Sequence, residues 1–353
     1  MRSPDDIERL VAQHHRREGA AAQICVIRGD EVVLERRWGC APDALFLIYS
    51  SSKPFVALLV HLLAERGALR LDDPVALHWP EFAGDGKEAV TIRHALQHRA
   101  GIPMPGGVLA TLLHCTNWDE AVRDIENARP KWPAGAVPAY HFLSFGFILG
   151  ELVQRVTRRS LKQVLADEFL QPLGLADIHL GLPDADLPRA VPVRSVHPSE
   201  IANQWVFNRR RVRQAIMPAA GISAGARQLA RFYQLLVRGG ELDGVRVLQP
   251  ATILEACRPS SDGLVDAFIK RPVRWAQGFQ LGGPSADPRD LGRFMGSTSS
   301  PKTFGHAGNA SCVTWADPTR GLVLAYLSNL QPGIDGGLEH VGTVSDAVLA
   351  AYG

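Results

Sequence analysis

Residues 4–18 set Ile7, Leu10 and Val11 at helical spacing among acidic and basic side chains, so the chain is expected to open with a polar amphipathic helix. An apolar run, Gln23 to Ile27, follows. Gly29-Asp30 then offers a two-residue turn and Val32 to Leu34 begins a second run, which is the pattern of a β-hairpin. The far end mirrors it: Ser311 to Ala316 reads as a strand, Asp317-Pro318-Thr319-Arg320-Gly321 as a turn, and Leu322 to Leu327 as a strongly apolar second strand. Leu338, Val341, Val344, Val348 and Tyr352 then recur at helical spacing. Between the two ends, segments 54–66, 92–98, 118–127, 143–157, 161–170 and 226–238 carry helical periodicity, joined by Pro- and Gly-rich loops. The pattern predicts an α/β fold of the α+β kind: an antiparallel sheet built from both chain ends and flanked by helices, with a helical region inserted between them.

Composition narrows the class. With 46% apolar and 21% charged residues, the 353-residue chain has the balance of a globular protein of about two domains or one large one. A chain of this length buries about 75% of its unfolded surface, enough to fold without disulfides or a metal. The formal net charge of +2 leaves no field for nucleic acid. The longest apolar stretch, Phe55 to Ala64, contains His61 and is too short to span a bilayer. The N-terminus, Met-Arg-Ser-Pro-Asp-Asp, lacks the apolar centre of a signal peptide. Five scattered cysteines form no C-x-x-C pair, which suits a reducing compartment and excludes a Cys zinc cluster. The expectation is a cytoplasmic protein with no nucleic-acid or membrane partner, no cofactor and no metal. The oligomeric state is left open.

Candidate chemistry begins at Tyr49-Ser50-Ser51-Ser52-Lys53-Pro54-Phe55, which opens helix 54–66. Ser50 and Lys53 form S-x-x-K, and positions i and i+3 share a helix face, so the lysine can reach the serine hydroxyl. Serine needs a neighbouring base to act as a nucleophile, and a lysine in an apolar setting can lose its charge and serve. Residues 55–63 are apolar nearly all round, so this helix is expected to run through a core. The alternative is that the serines merely cap the helix. A second S-x-x-K, Ser299 to Lys302, lies in a Gly/Ser/Pro loop with no helix after it. Downstream, Tyr140 stands just before helix 143–157, as a core residue or as a phenolic acid/base beside the serine and lysine. Phe304-Gly305-His306-Ala307-Gly308-Asn309 leads into strand 311–316; its glycines permit close backbone approach to a ligand, and its N–H groups could hold an oxyanion.

In order and spacing, Ser50-x-x-Lys53, Tyr140 and His306-Ala307-Gly308 resemble the serine β-lactamase and penicillin-binding-protein superfamily, most closely its esterase-like, class C-related branch. Thr91 to Pro103, Leu69 to Pro74 and Phe147 to Leu152 are similar to segments of that branch too, and the resemblance covers roughly residues 20–350. It implies a β-lactamase/transpeptidase-like fold. Residues 1–75 and 215–353 would form a discontinuous sheet domain, residues 76–214 a mostly helical one, and the active site would lie in the cleft between. It further implies Ser50 as acyl-accepting nucleophile, Lys53 as its activator, Tyr140 as proton shuttle, and the N–H groups of Ser50 and Asn309 as oxyanion hole. His306, Ala307, Gly308 and His141 would bind substrate.

Two positions depart from the family. Its Tyr-x-Asn reads Tyr140-His141-Phe142, and its Lys-Thr-Gly reads His306-Ala307-Gly308. The second change removes the cation that pairs with a penicillin or peptidyl carboxylate. If His306 carried partial charge, residual β-lactam turnover would rise as pH falls toward about 6. The expectation is therefore a serine hydrolase acting on a small-molecule ester or acyl substrate through an acyl-enzyme. An acyltransferase of the same fold is the alternative, followed by a β-lactamase or DD-peptidase, or a non-catalytic binding protein.

Three further motifs compete for attention. Gly221-Ile222-Ser223-Ala224-Gly225 matches the G-x-S-x-G elbow of α/β-hydrolases, but Pro218 spoils the preceding segment as a central strand, and Ser223 reads as a helix-entry residue. His94 and His98 supply half of a zinc site with no third ligand and read as structural. Arg209-Arg210-Arg211-x-Arg213 reads as solvated loop, or as an anion-binding edge if it borders the cleft.

Overall fold

The computed structural model describes residues 4–353; Met1 to Ser3, the start of the segment read for an export signal, lie outside them. A helix α1 (Pro4–His14) precedes the hairpin β1 (Ala22–Arg28) and β2 (Glu31–Trp38), turning at Gly29-Asp30 as expected. The sheet is completed from the other end of the chain by β3 (Gln280–Leu281), β4 (Phe304–Gly308), β5 (Cys312–Asp317) and β6 (Leu322–Ser328). Its order is β2-β1-β6-β5-β4-β3, antiparallel throughout, with Val26 opposite Leu324 and Leu324 opposite Trp315.

Side chains alternate along each strand between two faces. Cys25, Ile27, Ala316, Val323 and Ala325 pack toward helix α4 (Ala226–Val237) and the central helices, in one core cluster. Ile24, Val26, Val313, Trp315, Leu324 and Tyr326 pack toward α1 and α5 (Gly333–Tyr352), in another. Because helices cover both faces, β5 and β6 are buried at every position. This explains why residues 322–327 are apolar without interruption. Helix α2 (Lys53–Glu65) is buried from Lys53 through Leu63 and packs on α3 (Ser144–Thr157), and its Phe55 stacks on Phe232 of α4 at 4.1 Å.

The structure differs from the sequence expectations at short elements. Strand β4 was expected only as a glycine-rich approach to a strand. Its glycines and histidine give it little strand propensity, yet it is fully buried and pairs Gly305 with Trp315 and His306 with Thr314. Short helices at Gly107–His114, Ile201–Phe207 and Pro250–Ala256 fall below the length at which periodicity is readable. Arg209, Arg210 and Arg211 of the arginine run are exposed, as expected of a solvated segment, but the run is no loop. It forms a helix at Arg210–Gln214, with Arg213 buried and donating to the Val191 carbonyl at 2.7 Å. Segment 161–170 is α-helical only to Leu165 and continues as one π-turn over Ala166–Leu170. Among the described residues no helix is long and apolar enough to cross a membrane, and no disulfide joins any of the five cysteines.

Gly308 fixes how closely the sheet approaches the start of α2. A Cβ there would stand 2.1 Å from the Ile48 carbonyl oxygen, and backbone cannot swing aside as a side-chain tip can. Gly308→Ala should therefore lower stability by about 1–3 kcal/mol, the usual range for overpacking. Equilibrium urea unfolding measures it; an unchanged midpoint would show that the backbone at Ile48 yields freely.

Candidate active site

A short strand, Phe46–Leu47, feeds a single 3₁₀ turn, Tyr49–Ser52, which runs directly into α2. Tyr49 sits at φ +47°, a conformation costly for a bulky L-residue. Burial, an edge contact with Phe207 and a hydrogen bond from Gln331 Nε2 to its hydroxyl hold it there. The serine run does not cap the helix: Ser52 makes no side-chain cap. Instead Ser51 Oγ donates to the His306 carbonyl at 2.7 Å, and Ser52 Oγ accepts the Ile222 N–H at 3.1 Å. The turn is thus tied to β4 on one side and to the strand Ile222–Ala224 on the other. That leaves Ser50 facing a cleft of about 230 Å³.

Ser50, Lys53 and Tyr140 come together. Lys53 Nζ lies 3.2 Å from Ser50 Oγ, and the Tyr140 hydroxyl donates to the same oxygen at 2.6 Å. Lys53 is wholly buried; its amine also donates to the carbonyls of Phe142 at 2.8 Å and Ala219 at 3.2 Å. None of these partners is a carboxylate. Burial alone drives its pKa well below the ordinary lysine value, because the charged form loses its hydration without gaining a counter-ion. Burial has the opposite effect on Tyr140: its phenol is raised above the ordinary value despite the bond to Ser50, so it stays protonated at neutral pH.

Tyr140 is itself held from behind. The buried carboxylate of Asp266 accepts the backbone N–H of Tyr140 at 3.0 Å and the indole N–H of Trp275 at 3.0 Å. That indole stacks on the Tyr140 ring at 5.4 Å and 6°. Asp266 also accepts the N–H groups of Phe268 and Ile269. Neither Asp266 nor Trp275 belongs to a motif readable in the sequence. The Tyr140 partner sits 126 residues away, in a segment without periodicity.

Beside Ser50, β4 places His306 and Ala307 on the cleft wall, with Asn309 at its end. The Ala307 N–H is taken by Gln280 Oε1 at 3.0 Å. Gly308 faces Ile48 and Cys312 instead of the cleft. His141, expected among the substrate-binding residues, is turned away: its Nδ1 donates to the Ala139 carbonyl at 2.7 Å and its Nε2 accepts the Ile102 N–H at 3.2 Å. The neighbouring Phe142 lines the cleft in its place. His306 Nδ1 donates to the Ala307 carbonyl, and burial pushes its pKa down to about 3. It is neutral at pH 6, so the partial charge on which a rise of β-lactam turnover with mild acidification depended is absent.

The competing motifs lie elsewhere. Ser223 is the centre of the strand Ile222–Ala224, not a helix-entry residue; it is fully buried, and its hydroxyl finds no partner among the described residues. His94 completes a capping box with Thr91, while His98 accepts the His141 N–H at 3.1 Å and packs beside Tyr140 and Trp275. No residue of the arginine run lines the cleft. Ser299 is buried away from it, with its hydroxyl donating to the Gly296 carbonyl.

A profile described as Beta-lactamase matches residues 5–347, nearly the whole chain. The protein belongs to the beta-lactamase family. Among its relatives, the esterase/beta-lactamase LipL of Mycobacterium tuberculosis is 29% identical over 89% of this chain and 78% of its own length. A penicillin-binding-protein homologue from Caulobacter crescentus superposes with a TM-score of 0.84 at 28% identity, covering 99% of this chain and 98% of that one. A family VIII carboxylesterase superposes at 0.81, also at 28% identity, over 96% and 95%. The fold expected from the hydrophobic pattern is the fold of this family, and the chain is a serine hydrolase of the β-lactamase fold.

Within this beta-lactamase-family fold, several histidines are held neutral by burial: His61 and His141 with pKa values near 4, and His306 near 3. Unfolding returns them to about 6.5, so below that pH the unfolded chain binds the extra protons and stability falls as pH falls. Each such histidine contributes up to about 1.4 kcal/mol per pH unit in this window. Urea midpoints should drop steadily from pH 7 to pH 5, above the range where most carboxylates titrate. A midpoint that stays level or rises across that interval would show these histidines to be hydrated.

Proposed function

We propose that the protein hydrolyses carboxylic esters through an acyl-enzyme on Ser50. The cleft lies between a sheet unit (residues 1–75 and 215–353) and a helical unit (76–214), and the substrate is a small-molecule ester. The observation that carries this reading is the cradle of Lys53. A neutral amine has two N–H groups and one lone pair. The carbonyls of Phe142 and Ala219 engage the two N–H groups, which leaves the lone pair for the Ser50 hydroxyl. Ser50 Oγ attacks the ester carbonyl while its proton passes to Lys53, and the resulting ammonium is held by the same two carbonyls. Tyr140 gives its phenolic proton to the departing alkoxide and recovers one from Lys53. In the second half, Tyr140 and Lys53 take the proton of an attacking water and return it to Ser50 as the acid leaves. The N–H groups of Ser50 and Asn309 serve as the oxyanion hole. The family VIII carboxylesterase, named for ester chemistry alone, supports an ester as substrate, while LipL is named for both ester and lactam chemistry.

A fluorophosphonate should modify Ser50, mapped by mass spectrometry; modification at Ser223 instead would falsify the assignment. Lys53→Ala and Tyr140→Phe should each lower kcat/KM by about 10²–10⁴-fold. As both act in one proton transfer, the double variant should lose far less than the product of the two. A loss equal to that product would show independent roles.

Substrate class follows from His306. A β-lactam is bound largely through its carboxylate, and a charge-assisted hydrogen bond to that group is worth about 1.5–3 kcal/mol, or roughly 10–150-fold. The His306 ring cannot supply it, because it carries no charge and its one N–H is already given to the Ala307 carbonyl. p-Nitrophenyl acetate and butyrate should therefore be turned over with higher kcat/KM than nitrocefin on the same preparation. A nitrocefin value equal to or above the ester values would restore a β-lactamase.

A further inference from the structure

Glu200 is the one formally charged side chain among the described residues that line the cleft. Its Oε2 accepts Asn309 Nδ2 at 3.1 Å and Asn203 Nδ2 at 2.6 Å. The carboxylate is thereby fixed against the end of β4 and does not swing through solvent. Around the same cavity stand Phe142, Phe268 and Phe294, whose aromatic rings carry negative charge on their faces, while Tyr140 and Trp275, which also line it, cover one face of each other by stacking.

Nearby cationic groups do not offset this field. Lys53 lies fully buried beneath Ser50. The His306 ring is neutral. Arg271, two residues beyond the cleft-lining Ile269, is paired with Asp335 at 2.6 Å, and Lys270, next to Ile269, is exposed, where solvent and salt screen its charge. An anionic substrate would meet Glu200 without a counter-charge. An ammonium group would meet a fixed carboxylate and ring faces in a partly dehydrated site, where both attractions are stronger than in bulk water.

We propose that the cleft selects esters bearing a quaternary or protonated amine, with the Glu200 carboxylate as the specificity-determining group and the aromatic walls as the seat for the cation. This rests on the ester-hydrolase reading of the same site, and the experiment separates the two.

Choline and its neutral isostere 3,3-dimethylbutanol are compared as protectants of Ser50 against a fluorophosphonate. Acetylcholine and 3,3-dimethylbutyl acetate are compared as substrates, with p-nitrophenyl acetate as reference. Choline should protect at about tenfold lower concentration than the neutral alcohol, and acetylcholine should show a similar advantage in kcat/KM. Added salt should shrink that advantage. Glu200→Gln keeps an oxygen for the asparagine amides but removes the charge, and should bring the two probes to within about twofold. Glu200→Lys should reverse their order.

If p-nitrophenyl acetate is hydrolysed and Ser50 is labelled, but choline protects no better than the neutral alcohol, the inference is overturned and the esterase stands. The same holds if the preference is insensitive to salt and survives in Glu200→Gln. If neither hydrolysis nor labelling occurs, the esterase reading falls and the inference falls with it.

Discussion

Removing the Lys53 ammonium from water, with backbone carbonyls, a hydroxyl and the face of the Tyr140 ring at 4.6 Å but no counter-ion for company, would cost several kcal/mol. The group avoids that cost by giving up its proton. Once neutral, its hydrogen-bonding capacity matches its surroundings, and the remaining lone pair meets Ser50. The site depends on this one desolvation. It requires that α2 enter the core at its first residue, that the Phe142 and Ala219 carbonyls converge on one point, and that no carboxylate stand within reach. Asp266, the nearby buried acid, is saturated by four N–H groups and acts on Tyr140 through its backbone and its stacking partner.

The fold supplies those requirements from distant parts of the chain. Strand β4 is fixed to the Ser50 turn through the Ser51 hydroxyl and through Gly308, which lets the Ile48 carbonyl approach. The strand Ile222–Ala224 holds the same turn through Ser52, and the segment before it supplies the Ala219 carbonyl. The sheet is closed by pairing β1 with β6, so the first and last hundred residues cannot form it separately. The proposed nucleophile, displayed by a turn tied on both sides, would need little reorganisation on binding substrate, which is the condition under which fixed dipoles stabilise a developing oxyanion.

Much of this was legible in the sequence because its signals are local or strongly patterned. The terminal hairpins, the buried helix after Ser50 and the S-x-x-K pairing each follow from spacing alone, and Tyr140 and His306 gained meaning from their order along the chain. What escaped is non-local or short. Strand β4 is strand by virtue of burial, against its own glycines. His141 sits beside Tyr140 in sequence, yet its ring turns inward because Ile102 and Ala139 offer partners there. Arg213 looked solvated within a basic run until the Val191 carbonyl drew it inside. Trp275 and Glu200 reach the cleft, and Asp266 the back of Tyr140, only through tertiary contacts, and nothing in their own neighbourhoods marks them.

The claim on which the rest turns is that Lys53 is uncharged in the resting protein. The pH dependence of the second-order rate of Ser50 phosphonylation reads it directly, since the rate follows the fraction of lysine able to take the serine proton. A rate that has already reached its plateau by about pH 8 is the result expected for an amine whose pKa lies well below the ordinary value of about 10.4. A rate that climbs tenfold per pH unit through pH 9 and levels only near 10.4 would mean that Lys53 keeps its proton, and would contradict the account.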